Sequence, residues 1–105
     1  AAFDAGRASA WLGPSIRSCC FEVGEEVVEQ LGDAYGDVDR FVDRSSGFRP
    51  HVDLAGLTRD LLEQEGFPSD AIHDSGLCTR CEGSIFHSYR RNGPRAGRNL
   101  AIVVR

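Results

Sequence analysis

The stretch "HVDLAGLTRDLLEQEGFPSDAI", residues 51–72, decides the fold class. Leu54, Leu57, Leu61 and Leu62 recur at the spacing that lines one face of a helix. Asp53 stands where a carboxylate can accept from the exposed N–H groups of a first turn. Gly66, with Pro68 behind it, provides the stop. These signals predict a helix over 53–65. Ala71 and Ile72 then begin a strand, so helix and strand alternate closely and the class is mixed α/β.

Upstream, Ala8–Leu12 ("ASAWL") reads as a short buried strand that Gly13–Pro14 breaks. Gly24–Leu31 reads as a helix, with Val27, Val28 and Leu31 on one face. Glu22, Glu25 and Glu26 crowd its positive end, and Gly32 and Gly36 close it. Arg40–Val42 is a possible short strand, followed by the loop "DRSSGFRP". Downstream, "GLCTRCEGS" is a loop, Ile85–Tyr89 alternates weakly as a strand would, and "NGPRAGR" is a turn. Leu100–Val104 ("LAIVV") is apolar throughout and reads as a strand buried on both faces. Residues 1–105 form one unit, with no internal repeat, linker or low-complexity tract.

The net charge is −4, and every one of the 12 basic side chains is arginine. An acidic balance argues against a nucleic-acid binder that relies on broad charge attraction. No stretch has the length of a membrane-spanning helix, and the first residues lack the basic start and apolar run of a signal peptide. Four cysteines without a secretion signal fit a reducing, cytoplasmic compartment. The chain has no methionine and starts at Ala1, which predicts a fragment or a processed product.

Three groups carry chemistry. Cys78-Thr-Arg-Cys81 has the spacing of a metal or redox pair, but no second CxxC accompanies it, which favours structural thiols. Cys19, Cys20, His73 and His87 are the other candidate ligands, and Cys78, Cys81 and Cys20 form the alternative set for a small zinc-binding module. Cys19 and Cys20 precede a helix start, which favours a thiolate, while Glu22, Glu25 and Glu26 oppose one. No histidine is near them in sequence, so a buried thiol beside the turn is the simpler reading. His51 precedes the leucine helix as a polar neighbour of its cap. "HSYRRNGPRAGR", residues 87–98, is the densest positive segment. Arg90 and Arg91, with Tyr89, suit phosphate or carboxylate binding because a guanidinium donates two parallel hydrogen bonds. The alternative is a solvated hairpin whose arginines pair with acids.

Three segments in order resemble one family. "WLGPSIRSCCFEVGEEV" is similar to its strand and "GPxIGPCCYEVG" segment, and "HVDLAGLTRDLL" to its "LDLWxxNRxxL" helix. "CTRCEGSIFHSYRRNGPRAGRNLAIVV" is similar to its closing "CTxxxxxxFFSYRRDGxxGR" and apolar strand. The family is the laccase-domain, YfiH-like group, also described as multicopper polyphenol oxidases and purine nucleoside phosphorylases. The resemblance implies a layered α-β-α sandwich, here an incomplete domain. It also implies phosphorolysis of purine nucleosides and deamination of adenosine, with copper-dependent phenol oxidation as an older assignment.

The family's zinc or copper set is His, Cys, His, in segments resembling "QVHG", "ADC" and "HAGWRG", and none of these occurs here. The resemblance therefore implies a C-terminal half, without catalytic or metal residues of its own and inactive alone. Its implied partners are the N-terminal half, a purine nucleoside and phosphate, with no nucleic acid and no membrane. Self-association of the isolated half is expected. Arg17 and Ser18 stand where the family has Gly-Pro, Ala55-Gly56 replaces Trp-Ala, Asn92 replaces Asp and Cys81 adds a thiol. A side chain at Arg17, in a turn built on glycine, predicts a changed turn geometry.

Overall fold

The computed structural model describes residues 4–45 and 49–100. In chain order these form strand β1 (Ala10–Leu12), helix α1 (Glu25–Tyr35), strand β2 (Val42–Asp43) and strand β3 (His51–Val52). Helix α2 (Leu54–Gln64), strand β4 (Ile72–Asp74) and the short helix α3 (Tyr89–Asn92) follow. This is the mixed α/β class expected. β1 and β4 pair in parallel, Ala10 opposite Ile72 and Leu12 opposite Asp74. β2 and β3 form a separate antiparallel pair, Val42 opposite Val52.

Helix α2 forms as its leucine spacing predicts. The Asp53 carboxylate accepts from the Gly56 N–H at 2.9 Å, satisfying one of the unpaired first-turn donors. Leu57 is buried, and Leu54 and Leu61 pack beside it. Helix α1 runs past Gly32 and closes at Gly36, whose φ of 85° suits glycine and whose N–H reaches the Gly32 carbonyl at 2.8 Å. An internal glycine costs a helix about 1 kcal/mol. Packing of Val27, Val28 and Leu31 on the core offsets that cost.

The core gathers Val23, Val28, Val38, Val52 and Leu57, with Phe21, Phe41 and Val42 against it. It lies between α1, α2 and the β2–β3 pair. Val52 is fully buried. The extended segment before α1 is tied to the same pair: the Val23 N–H donates to the Pro50 carbonyl at 2.9 Å and the Val52 N–H to the Phe21 carbonyl at 3.1 Å.

Several expectations are corrected. β1 is not buried: Trp11 is 77% exposed and stacks on His73, ring centroids 4.2 Å apart. Among the described residues its sheet has two strands, so β1 has a partner along one edge only. Around Arg40 the chain makes a 3-10 turn, Asp39–Phe41, and the strand begins at Val42. Ile85–Tyr89 is no strand. Turns lead into α3, where the Ser88 hydroxyl caps by accepting from the Arg91 N–H at 3.3 Å. Gly93, with φ of 59°, ends that helix. The apolar segment 100–104 lies outside the described residues apart from Leu100, which is exposed and in no strand.

The radius of gyration is 15.4 Å, against roughly 13 Å for a free-standing domain of about this length. Few side chains are deeply buried and the outline is spread. No helix among the described residues is long and apolar enough to cross a membrane.

Candidate functional site

Parallel strands end at one edge, and in α/β sheets ligand sites gather at that carboxyl edge. The segments leaving β1 and β4 run there side by side. Ser75 N–H donates to the Leu12 carbonyl at 3.0 Å, Ser15 N–H to the Leu77 carbonyl at 3.3 Å, and Thr79 N–H to the Ser15 carbonyl at 3.1 Å. Arg17 locks the pair. Its guanidinium grips both Asp74 carboxylate oxygens, with Nη1 to Oδ2 at 2.7 Å, and its Nε donates to the Leu77 carbonyl at 3.2 Å. The Arg17 hydrogen bond holds the Asp74 carboxyl below its ordinary pKa, while Asp74 in turn raises that of Arg17. No described residue other than glycine has a positive φ. The turn at Arg17 therefore needs no glycine, and the side chain there is put to use.

Beyond this clamp lie the cysteines. Residues 18–20 form a turn, with the Cys20 and Phe21 N–H groups both reaching the Arg17 carbonyl at 2.9 Å. In a strand, consecutive side chains point to opposite faces. Here the turn puts the Cys19 and Cys20 sulfurs 3.6 Å apart, on one side. Cys81 Sγ is 3.4 Å from Cys19 Sγ and 3.3 Å from Cys20 Sγ. With buried Cys78, all four sulfurs lie within 4.8 Å of one another, close enough to hold a metal ion.

Their acidities diverge. For Cys78, burial works against the thiolate, but N–H groups of Arg17, Cys81 and Arg80 point at the sulfur and bring its pKa down to about 6. Burial and hydrogen bonds to neighbouring thiols push Cys19 up to about 12. Cys81 is raised as well, chiefly through Cys20. The Cys78 thiolate forms readily, while Cys19 and Cys81 hold their protons more tightly than an ordinary thiol.

The basic segment wraps this cluster. Arg91 is spent on the backbone: its guanidinium donates to the carbonyls of Thr79 and Arg80 at 3.1 Å each and of Phe86 at 2.7 Å, and to Asn92 Oδ1 at 3.1 Å. Arg90 lies over the Phe21 ring and gives one bond, 2.8 Å, to the Glu22 carbonyl. It also lines a polar cavity of about 260 Å³ together with Cys19, Cys20, Glu22, His51 and Arg80. Tyr89 is exposed. His51 Nε2 is 4.0 Å from Glu22 Oε2. His73 is under Trp11, and the His87 backbone pairs with the Asn99 amide. The three histidines join no ligand group. Among the described residues the four cysteines are the one group of three or more His, Cys, Asp or Glu side chains within metal-binding reach. A His, Cys, His set does not fit these residues.

The family model for multi-copper polyphenol oxidoreductase laccase matches residues 1–105. The chain belongs to this laccase family. Adenosine deaminase RL5, from an unknown prokaryotic organism, is 39% identical over 100 residues, 94% of this chain and 38% of that protein. Purine nucleoside phosphorylase YlmD of Bacillus subtilis is 32% identical over 92 residues, 88% of this chain and 33% of that protein. The Bacillus licheniformis hypothetical protein YfiH superposes with a TM-score of 0.70 at 32% identity, covering 78% of this chain and 31% of that one. The laccase-family chain thus spans less than two-fifths of the length of these relatives. Its YfiH-like α/β fold is the one the three sequence segments imply.

Proposed function

We propose that this chain is the C-terminal part of a purine nucleoside enzyme of the laccase family, a phosphorylase with adenosine deaminase activity. The observation that carries this reading is the match along 88–94% of the chain to relatives named purine nucleoside phosphorylase and adenosine deaminase. In phosphorolysis a phosphate oxygen bonds to the sugar C1′, the C1′–N9 bond breaks and the purine leaves with a proton. The chain's part is to bind and orient. Arg90 and Arg80, which both line the cavity, neutralise phosphate, and Tyr89 next to Arg90 offers a hydroxyl donor. Arg91 positions the loop carrying Arg80. A charge-assisted, two-pronged contact of this kind is what guanidinium groups supply best.

In this reading the reacting centre is completed by an N-terminal half, which brings the His, Cys, His residues and their zinc or copper. The pair works in the cytoplasm. The open edge of the β1–β4 sheet, with exposed Trp11, is where the missing half fits, and the isolated chain self-associates or is marginally stable. The test is phosphate-dependent release of adenine or hypoxanthine. The isolated chain is expected to be inactive and the chain joined to an N-terminal half active. In the joined protein Arg90→Ala is expected to raise the KM for phosphate at least tenfold. Robust turnover by the isolated chain, or none by the joined protein, refutes the proposal.

A further inference from the structure

We infer that Cys19, Cys20, Cys78 and Cys81 bind one zinc ion as a closed four-thiolate site that staples the loop after β1 to the loop after β4. The inference does not rest on the nucleoside reading: the site adjoins that cavity and shares Cys19, Cys20 and Arg80 with it, but it uses no histidine and needs no turnover to be seen. Zinc–sulfur bonds of about 2.3 Å in a tetrahedron set the sulfurs about 3.8 Å apart. The three separations of 3.3–3.6 Å, and an upper limit of 4.8 Å for all pairs, describe sulfurs arranged around such a centre. They are far from the roughly 2.05 Å of a disulfide.

The donor set points to the metal. Four soft sulfurs in tetrahedral array select zinc or iron–sulfur chemistry. Sulfurs this close surround a single ion, and four protein ligands leave no open position, which is the mark of a structural zinc site. The surroundings supply the second layer such sites need. The Cys81 N–H donates to Cys78 Sγ at 3.5 Å, and the Arg17 and Arg80 N–H groups reach the same sulfur. The Arg80 side chain bonds Cys20 and lies near Cys78 and Cys81, offsetting the two negative charges left when four thiolates hold a divalent ion. Cys19 and Cys81 are about sixty positions apart in sequence. A chain with a small core gains most from such a crosslink, because metal-binding energy becomes folding energy.

The experiment is metal analysis of the reduced 105-residue chain, followed by titration of the stripped chain with cobalt. One zinc per chain is expected. Cobalt is expected to give a one-to-one endpoint with thiolate-to-cobalt charge transfer and the strong visible bands of tetrahedral cobalt, both erased by added zinc. Cys19→Ser and Cys81→Ser, at exposed positions, are each expected to weaken zinc binding at least tenfold. Four thiols still freely titratable in excess zinc, cobalt spectra without thiolate bands, or undiminished zinc in both variants overturns the site. So does iron in place of zinc, or a Cys20–Cys81 disulfide persisting in reductant. The cobalt spectrum of the unaltered chain decides the matter even if a variant fails to fold.

Discussion

Two regions of this chain are held together by different physics. The core between α1, α2 and the β2–β3 pair rests on apolar burial, with Val52 fully enclosed. The carboxyl edge of the β1–β4 pair has almost no apolar interior. It is held by arginines aimed at carbonyls and a carboxylate, and by a knot of sulfurs. Burial is non-directional and tolerates substitution of similar shape. The arginine contacts are directional, so the loops are specified by a few side chains. This suits a site, where geometry matters more than bulk.

The sharpest test of that division is Leu57→Ala. Leu57 is 5% exposed in the core, and truncating a buried leucine costs about 2–5 kcal/mol. Urea unfolding is expected to show that loss, with cobalt or zinc binding to the folded fraction unchanged. A collapse of metal binding in the folded fraction breaks the picture of two separately supported regions.

Arg91→Lys probes the other region. An ammonium cannot span the carbonyls of Thr79, Arg80 and Phe86 together. Losing charge-assisted hydrogen bonds, two of them part-buried, is expected to cost about 2 kcal/mol, again by urea unfolding. In the joined enzyme the loss should appear in both kcat and KM, because the Arg80 loop is displaced. An unchanged unfolding midpoint would place Arg91 in ligand binding alone, the role its sequence position suggests.

The same division explains what the sequence disclosed. Helix α2 and its Asp53 cap were legible because both are local: leucines at helical spacing, and a carboxylate three residues before its donor. The α/β class and the family followed from segments in order along the chain. The Arg91 contacts were hidden, since their acceptors are backbone carbonyls that carry no residue identity. The sulfur cluster was half visible. Cys78 and Cys81 have ligand spacing, and Cys19 and Cys20 stood among the candidate ligands, but the expected set held Cys20 without Cys19, because spacing alone does not say which way adjacent side chains point. Only the turn over residues 18–20 turns both sulfurs the same way. Arg17, which looked like a misfit in a glycine turn, is the clamp beneath that turn.

Arg17 and Asp74 give the smallest and most discriminating effect. The Asp74 side chain is 31% exposed and that of Arg17 14%, so water screens the pair and its worth is at most about 1 kcal/mol. The folded-state pKa of Asp74 is lowered by the Arg17 hydrogen bond. A depressed carboxylate adds stability that is fully present above its unfolded pKa of about 3.9 and is lost as pH falls through the folded value. Asp74→Asn should therefore be less stable than the parent at neutral pH. The gap should close in acid, below about pH 4, as the parent loses the same charge. The comparison is made by urea unfolding at several pH values. A gap that stays constant into acid would mean that the Asp74 charge is not its source; the contact to the Gly76 N–H, at 3.0 Å, survives in asparagine and cancels, so the clamp beneath the cysteine turn would be steric and not ionic.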